Sequence, residues 1–410
     1  MTSLPLDGIT VVAMEQAVAM PLATRHLVDL GARVIKIEHP SRGDLARGYD
    51  DVVLGTGVHF VWLNRGKESL AIDVASPTGR RVVRALVSRA DVFVQNLGPG
   101  AARRLGFDAR TLRAADPRLV VVDLSGYGQG GPDEERKAYD LVVQAESGLI
   151  SLTGTPEEPV KAGIPVADIA SGMYCAQAVL AALLRQARLG TGAAIEVTML
   201  EATLEWMGHA VHTQLATGQA PPRMVVGHGS ICPYGTYPTS DGKELLIGVQ
   251  SDAGWRTLAR DVLEDPELAD DPRLATNQLR VEHRALCDAS VAARTVRWNL
   301  AELDERLRLA RVPAARISTL EESLAHPQLA ARARWRDIAT ENGVVPALLP
   351  PITFDDVVAA MGPVPALGSH TASLLREAGL DQDEVRAAIA RGDAVQAPPV
   401  VRPIEAGHHA

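Results

Sequence analysis

Over its first two hundred residues the chain alternates short apolar runs with longer amphipathic stretches. Ile9 to Met14 (ITVVAM) has the length and apolar continuity of a buried strand. Pro21 to Leu30 reads as a helix, with Pro near its start and Gly31 just past its end. Further strands are predicted at Val34 to Ile37, Ser69 to Val74, Val92 to Gln95 and Leu119 to Leu124, and a helix from about Pro77 to Arg89. This alternation specifies an α/β fold, a Rossmann-like, mostly parallel sheet covered by helices. Gly172 to Leu184 (GMYCAQAVLAALL) is apolar nearly all round, which predicts a helix buried on every side. A strand, Ala194 to Met199, and a helix through Trp206 follow.

The loop-like stretch Gln219 to Gly229 marks a domain boundary. Beyond it, Tyr234 to Ser240 and Lys243 to Val249 flank Asp241-Gly242, a two-residue turn signal for a hairpin. Helical patterns run from about Ala253 to Arg311, giving a smaller α+β domain. The chain returns through Pro350-Pro351 to a last helical segment, Ser369 to Glu377. The division is then 1–218 and 331–395 for the large domain, 219–330 for the small one, and 396–410 for a Pro-containing tail expected to be disordered.

Composition narrows the function. With 46% hydrophobic but only 4% aromatic residues, the core must be built from Val, Leu, Ala and Ile. A net charge of −9 argues against nucleic acid as a partner. The three cysteines, Cys175, Cys232 and Cys287, form no C-x-x-C pair, so no zinc or redox site is indicated and a reducing compartment fits. The start, Met1 to Gly8, is too short and polar for a signal peptide, and no window has the uncharged apolar run of a membrane span. The expectation is a cytoplasmic protein with no membrane partner.

Gly126 to Gly131 (GYGQGG) matches G-x-G-x-x-G after a strand, but Pro132-Asp133-Glu134-Glu135-Arg136 follows instead of an apolar helix. The first βα turn, Glu15 to Pro21, has no glycine, so a dinucleotide site lacks its phosphate loop. The pairs His228/Cys232 and His209/His212 lack further ligands at metal-site spacing, so no metal is expected. Asp168 stands just ahead of the apolar helix. As an N-cap it would accept backbone N–H bonds; equally, a carboxylate kept ionised by the helix dipole is a usable nucleophile. Asn96-Leu97-Gly98-Pro99-Gly100 follows a predicted strand, where open α/β sheets bind ligands, and Arg103 and Arg104 come next as phosphate partners or as a solvated helix start.

Taken together these residues resemble the class III CoA-transferase family, which includes formyl-CoA transferase and carnitine CoA-transferase. The resemblance runs from about Leu6 to Gly392. It is carried by Leu6-Asp7-Gly8-Ile9, Leu30 to Glu38 (LGARVIKIE), Ile72 to Gly79 (IDVASPTG), Gln95 to Ala101 (QNLGPGA), Tyr139-Asp140-Leu141, Gly163 to Met173 (GIPVADIASGM) and Pro365 to Thr371 (PALGSHT). It implies that Asp168 is the covalent nucleophile and that Gln16, Val18 and Tyr139 surround it, with Tyr139 as a candidate to orient Asp168. It implies CoA contacts from His39, Asn96, Leu97, Gly98, Arg104 and Lys137, and adenine contacts from Ile72, Asp73, Val74 and Ala75. His39 stands where formyl-CoA transferase has an arginine, Val18 where it has a glutamine, and its glycine-rich flap has no counterpart near Gly227 to Gly235. The family's racemase branch has a histidine where this chain has Tyr139, whose ordinary pKa near ~10 suits a proton-abstracting base poorly. The resemblance further implies an interlocked, ring-like homodimer and an acyl-CoA plus a small carboxylic acid as substrates, with no permanently bound cofactor. Glu205-Trp206-Met207 resembles members acting on C4–C5 dicarboxylates; alone it reads as an amphipathic helix with a buried Trp. A racemase or isomerase of the same superfamily and a non-catalytic CoA binder stay open as alternatives.

Overall fold

The computed structural model describes residues 3–398 and 400. The expectation of a disordered tail concerns mostly residues outside that range. The chain divides into two units, one formed by residues up to Ser147, Ala162–Gly208 and from Ala333 onward, the other by Gly148–Lys161 and His209–Arg332.

The first unit is built on six parallel strands, β1 (Thr10–Met14), β2 (Arg33–Glu38), β3 (Glu68–Ile72), β4 (Val92–Gln95), β5 (Val120–Ser125) and β6 (Ala194–Thr198). Their order is β3-β2-β1-β4-β5-β6, and a short strand, Ala394–Val395, adds antiparallel to β3. Val12 faces Ile35 of β2 and Phe93 of β4 in register. Successive side chains point to opposite faces, so Val11 and Ala13 join one apolar core and Val12 and Met14 the other. A strand flanked by helices on both faces reads as a nearly continuous apolar run, as Val11 to Met14 does.

The helix after β1 is Ala19–Asp29 and starts two residues before the predicted Pro21. Pro21 lies in its first turn, where backbone N–H groups have no helical partner in any case. Three late elements escaped the sequence reading: the hairpin Trp335–Thr340 with Gly343–Leu348, the helix Gln382–Ala390 and the strand Ala394–Val395.

Two expectations about the apolar helix need correction. It spans Val166–Leu189 and is buried on one side only: Ala167, Ala170, Ser171, Cys175, Ala176, Val179 and Ala182 pack inward, while Met173, Leu180 and Leu184 are exposed. It is also long and apolar enough by composition to cross a membrane, with a mean hydropathy of 1.5 over its best window, although half of that window is buried within the protein. Core helices pass the same test. Gly172 lets this helix approach the Ala19–Asp29 helix closely: a Cβ there would meet the Ala19 carbonyl oxygen at 2.5 Å.

The second unit contains β7 (Tyr234–Pro238), β8 (Glu244–Gly248) and β9 (Ala314–Ala315), all antiparallel, with a core around Trp255, Leu258, Val262 and Leu303. The hairpin turn is wider than the two-residue form predicted. Thr239 N–H donates to Lys243 O at 2.9 Å, leaving Ser240 to Gly242 as the loop, with Gly242 at φ +73°. Three-residue loops of this kind place a left-handed residue last, and glycine accepts that conformation without strain.

Candidate active site

β1 is flanked by β2 on one side and β4 on the other. In this strand order the connections leave β1 and β4 in opposite directions, which opens a crevice at their carboxyl ends. A cleft of about 860 Å³ lies there. It is lined by the turn after β1 (Gln16 to Ala19), the loop after β4 (Gln95 to Gly100) and the loop after β5, together with Tyr139, Asp140 and Asp168.

The β1 turn does without glycine by a different device. Ala17 adopts φ +65°, a left-handed conformation that costs an L-residue roughly 1–2 kcal/mol. Asp44 holds it there: Oδ1 accepts from Ala17 N–H and from Ala46 N–H, each at 2.9 Å. Asp44 Oδ2 is in turn 2.6 Å from Lys36 Nζ. Lys36 also pairs with Glu15 at 3.3 Å, and Glu15 with Lys67 at 2.7 Å and the Thr24 hydroxyl at 2.6 Å, all of them buried. Burial works against the charge on Glu15, but Lys36 and Lys67 hold its carboxyl below the ordinary range. Burial pulls Lys67 down to about 8 in spite of Glu15. Asn96 completes the turn, donating from Nδ2 to Gln16 O and accepting at Oδ1 from Gln16 N–H, both at 2.9 Å. Its side chain, expected to hold CoA, lines the cleft while holding this turn.

Asp168 occupies the third position of the Val166–Leu189 helix and does not cap it. Asp140 caps it instead, its Oδ1 accepting from Ala167 N–H at 2.9 Å and Asp168 N–H at 3.3 Å. The Asp168 carboxylate, half-buried, is left with no hydrogen-bond partner among the described residues. Desolvation, and then the negative charge of Asp140, push its pKa up to about 7. The expectation of a carboxylate kept ionised by the helix end is therefore corrected: the free N–H groups serve Asp140, and Asp168 gains a neighbour of like charge. Val18 packs in a small apolar cluster with Leu22, Leu63 and Ile169, which fixes the start of the helix against the β1 turn.

The other expected residues divide. Gln16, Leu97, Gly98, Lys137 and Tyr139 line the cleft. Tyr139 is 63% exposed and makes no hydrogen bond to Asp168, so the expected orienting contact is not made; Asp140, its neighbour, fixes the helix start. Arg104 lies outside the cleft, donating to Pro99 O at 3.3 Å, whereas Arg103 lines it. His39 and Asp73 to Ala75 sit outside the cleft, at the carboxyl ends of β2 and β3 on the same edge of the sheet. Ile72 is buried in the core, so its side chain cannot touch a ligand. Trp206, read as buried, is 47% exposed and also lies outside the cleft. Gly126 to Gly131 opens no helix, which removes the dinucleotide reading. Arg103, Arg110 and Lys137 line the cleft without an acidic partner among the described residues, as phosphate-bearing ligands require.

Residues 6–371 match the sequence profile of CoA-transferase family III. The chain belongs to that family. It is a CoA-transferase, with named CoA-transferases among its relatives. Succinate–glutarate CoA-transferase of Agrobacterium fabrum is 35% identical over 383 residues, covering 91% of this chain and 95% of the relative. Succinyl-CoA:glutarate CoA-transferase of Homo sapiens is 30% identical, covering 91% and 86%. The crystal structure of a CAIB/BAIF family protein from Brucella suis superposes with a TM-score of 0.79 at 36% identity, covering 92% of this chain and all of that one. For a family III CoA-transferase, the residues that sequence reasoning missed are Asp44, Tyr49, His59 and Arg110, together with Asp140 as helix cap. Tyr49 and His59 line the cleft from the segment after β2, which carries no periodic signal. Burial, with Asp44, Asp168 and Tyr139 nearby, raises the Tyr49 pKa and keeps its phenol an O–H donor.

Proposed function

We propose that this CoA-transferase exchanges CoA between dicarboxylic acids of about four to five carbons through covalent intermediates on Asp168. The observation that carries the reading is a carboxylate with a raised pKa, without a hydrogen-bond partner among the described residues, in a cleft at the sheet's switch point that three cations without acidic partners also line. The acid class is supported by the relatives named for succinate and glutarate.

In this reading an Asp168 oxygen attacks the thioester carbonyl of the donor. The C–S bond breaks, CoA leaves as thiolate and an acyl-aspartyl anhydride remains. The thiolate attacks the Asp168 carboxyl carbon, releasing the donor acid as its carboxylate and leaving an aspartyl–CoA thioester. The acceptor carboxylate attacks that thioester, and the freed thiolate then takes the acceptor acyl group, regenerating Asp168. Each step exchanges one activated acyl bond for another, which is the advantage of covalent catalysis. A carboxylate of pKa about 7 is a stronger nucleophile when ionised than one of ordinary pKa and is still ionised in good part at neutral pH.

Arg103, Arg110 and Lys137 would bind CoA phosphates, and His39 and Asp73 to Ala75 the adenine end along the same sheet edge. The exposed row Met173, Leu180 and Leu184 supports a second copy of the chain as partner, in the interlocked dimer of the family. Incubation with succinyl-CoA and a panel of acids, read by mass spectrometry, tests the exchange. Hydroxylamine should mark a peptide containing Asp168, and an Asp168→Ala variant that transfers CoA at the parental rate would end the proposal.

A further inference from the structure

His59 lines the cleft with Asp168 but has no part in the exchange just described. Four buried side-chain polar atoms lack a partner among the described residues, and His59 Nδ1 is the only one whose residue lines the cleft. Nδ1 itself is shut off from the cleft, so the ring nitrogen open to a ligand is Nε2, which has no partner among the described residues. The ring is held edge-on against Tyr49, with centroids 5.8 Å apart, and against Trp62 at 6.4 Å. An unmet polar group in a binding cleft is one that a substrate can satisfy.

Strand order separates the cleft into two chemistries. Leu45, Tyr49 and His59 reach it on the β2 side of the Gln16–Val18 turn, and Arg103, Arg110 and Lys137 on the β4 and β5 side. The cationic side suits phosphates. The β2 side offers one phenol and one imidazole beside an apolar leucine. Tyr49 links this side to the reacting group, because its phenol feels the charge of Asp168.

Resting on the dicarboxylate reading above, we propose that His59, with Tyr49 beside it, is the specificity-determining residue that receives the remote carboxylate of the acid while the near carboxylate exchanges at Asp168. A monocarboxylic acid leaves the imidazole unmet. Sites built to hydrogen-bond a substrate group discriminate strongly against analogues that lack it.

The test compares glutarate with pentanoate, its equal in chain length, as acceptors from succinyl-CoA. The readout is the ratio of their kcat/KM values, in which any effect on the donor cancels. In His59→Phe the ratio should fall by about tenfold or more, the worth of a hydrogen bond to a charged group. His59→Gln, which keeps a donor, should recover part of it. Circular dichroism and hydroxylamine trapping of Asp168 in the same preparations report that the fold and the nucleophile are intact, and His59→Leu, which has no donor, gives a second variant with the same expected loss. A parental protein that favours glutarate, with variant ratios within about twofold of it, overturns the role of His59 and leaves the dicarboxylate reading standing. A parental protein that uses pentanoate as well as glutarate overturns that reading and the role of His59 with it.

Discussion

Replacing Asp168 by Asn should make the substrate-free protein more stable at pH 8 and leave it unchanged at pH 4. The folded carboxyl titrates at about 7 rather than 3.8 because it is desolvated beside Asp140. Between those values the folded state holds a proton that the unfolded chain has lost, so stability falls as pH rises through the window and stays low above it. At about 1.4 kcal/mol per unit, a shift of roughly three units sets an upper bound near ~4 kcal/mol. Partial solvent access and relaxation reduce this to about 2 kcal/mol. The helix dipole, which favours an ionised carboxylate in the first turn, takes back about 0.5 kcal/mol. Asn has nearly the same shape and no charge to desolvate. Thermal unfolding of both proteins at pH 4, 6 and 8 measures the difference, and about 2–3 °C in Tm is expected at pH 8. Other titrating groups cancel between the two proteins. A Tm difference that is the same at pH 4 and pH 8, or a variant less stable at pH 8, would refute the claim that Asp168 is held in an environment hostile to its charge.

Four further outcomes follow from the same geometry. The pH profile of hydroxylamine trapping should lose amplitude below about 7, because only the ionised Asp168 attacks. Asp140→Asn should move that limb to lower pH by removing the neighbouring charge while its Oδ1 still accepts from Ala167 N–H, whereas Asp140→Ala should also destabilise the helix start by about 1 kcal/mol, read by denaturant unfolding. Ala17→Gly should leave stability and activity close to parental, whereas Ala17→Val should lose about 1–3 kcal/mol and most activity, since a β-branched residue resists the left-handed conformation. Lys36→Met should cost about 3–5 kcal/mol by stranding Asp44 and Glu15, and the double variant Lys36→Met with Asp44→Leu should recover part of the stability without restoring turnover.

Strand positions, the α/β class and the place of Asp168 were legible in the chain because each depends on near neighbours. Val11 to Met14 is apolar at every position, and the run is too short for a helix of its own. The same logic failed for the Val166–Leu189 helix, whose apolar surface exceeds what one copy of the chain buries. Periodicity reports which side chains avoid water, and it does not say what covers them. It failed at Asp168 for another reason. An acid at a helix start has the same sequence whether it caps the helix or faces a cleft, and the choice was made by Asp140, 28 residues away. The sequence by itself determined that a parallel sheet would form and that an acid would stand at its carboxyl edge. Only the tertiary structure decided that Asp44 would hold Ala17 in an unfavourable conformation, that Tyr49 and His59 would line the same cleft, and that the Asp168 pKa would be pushed up to about 7. Those outcomes depend on strand order and on desolvation, which belong to the packed molecule and have no local pattern in the chain.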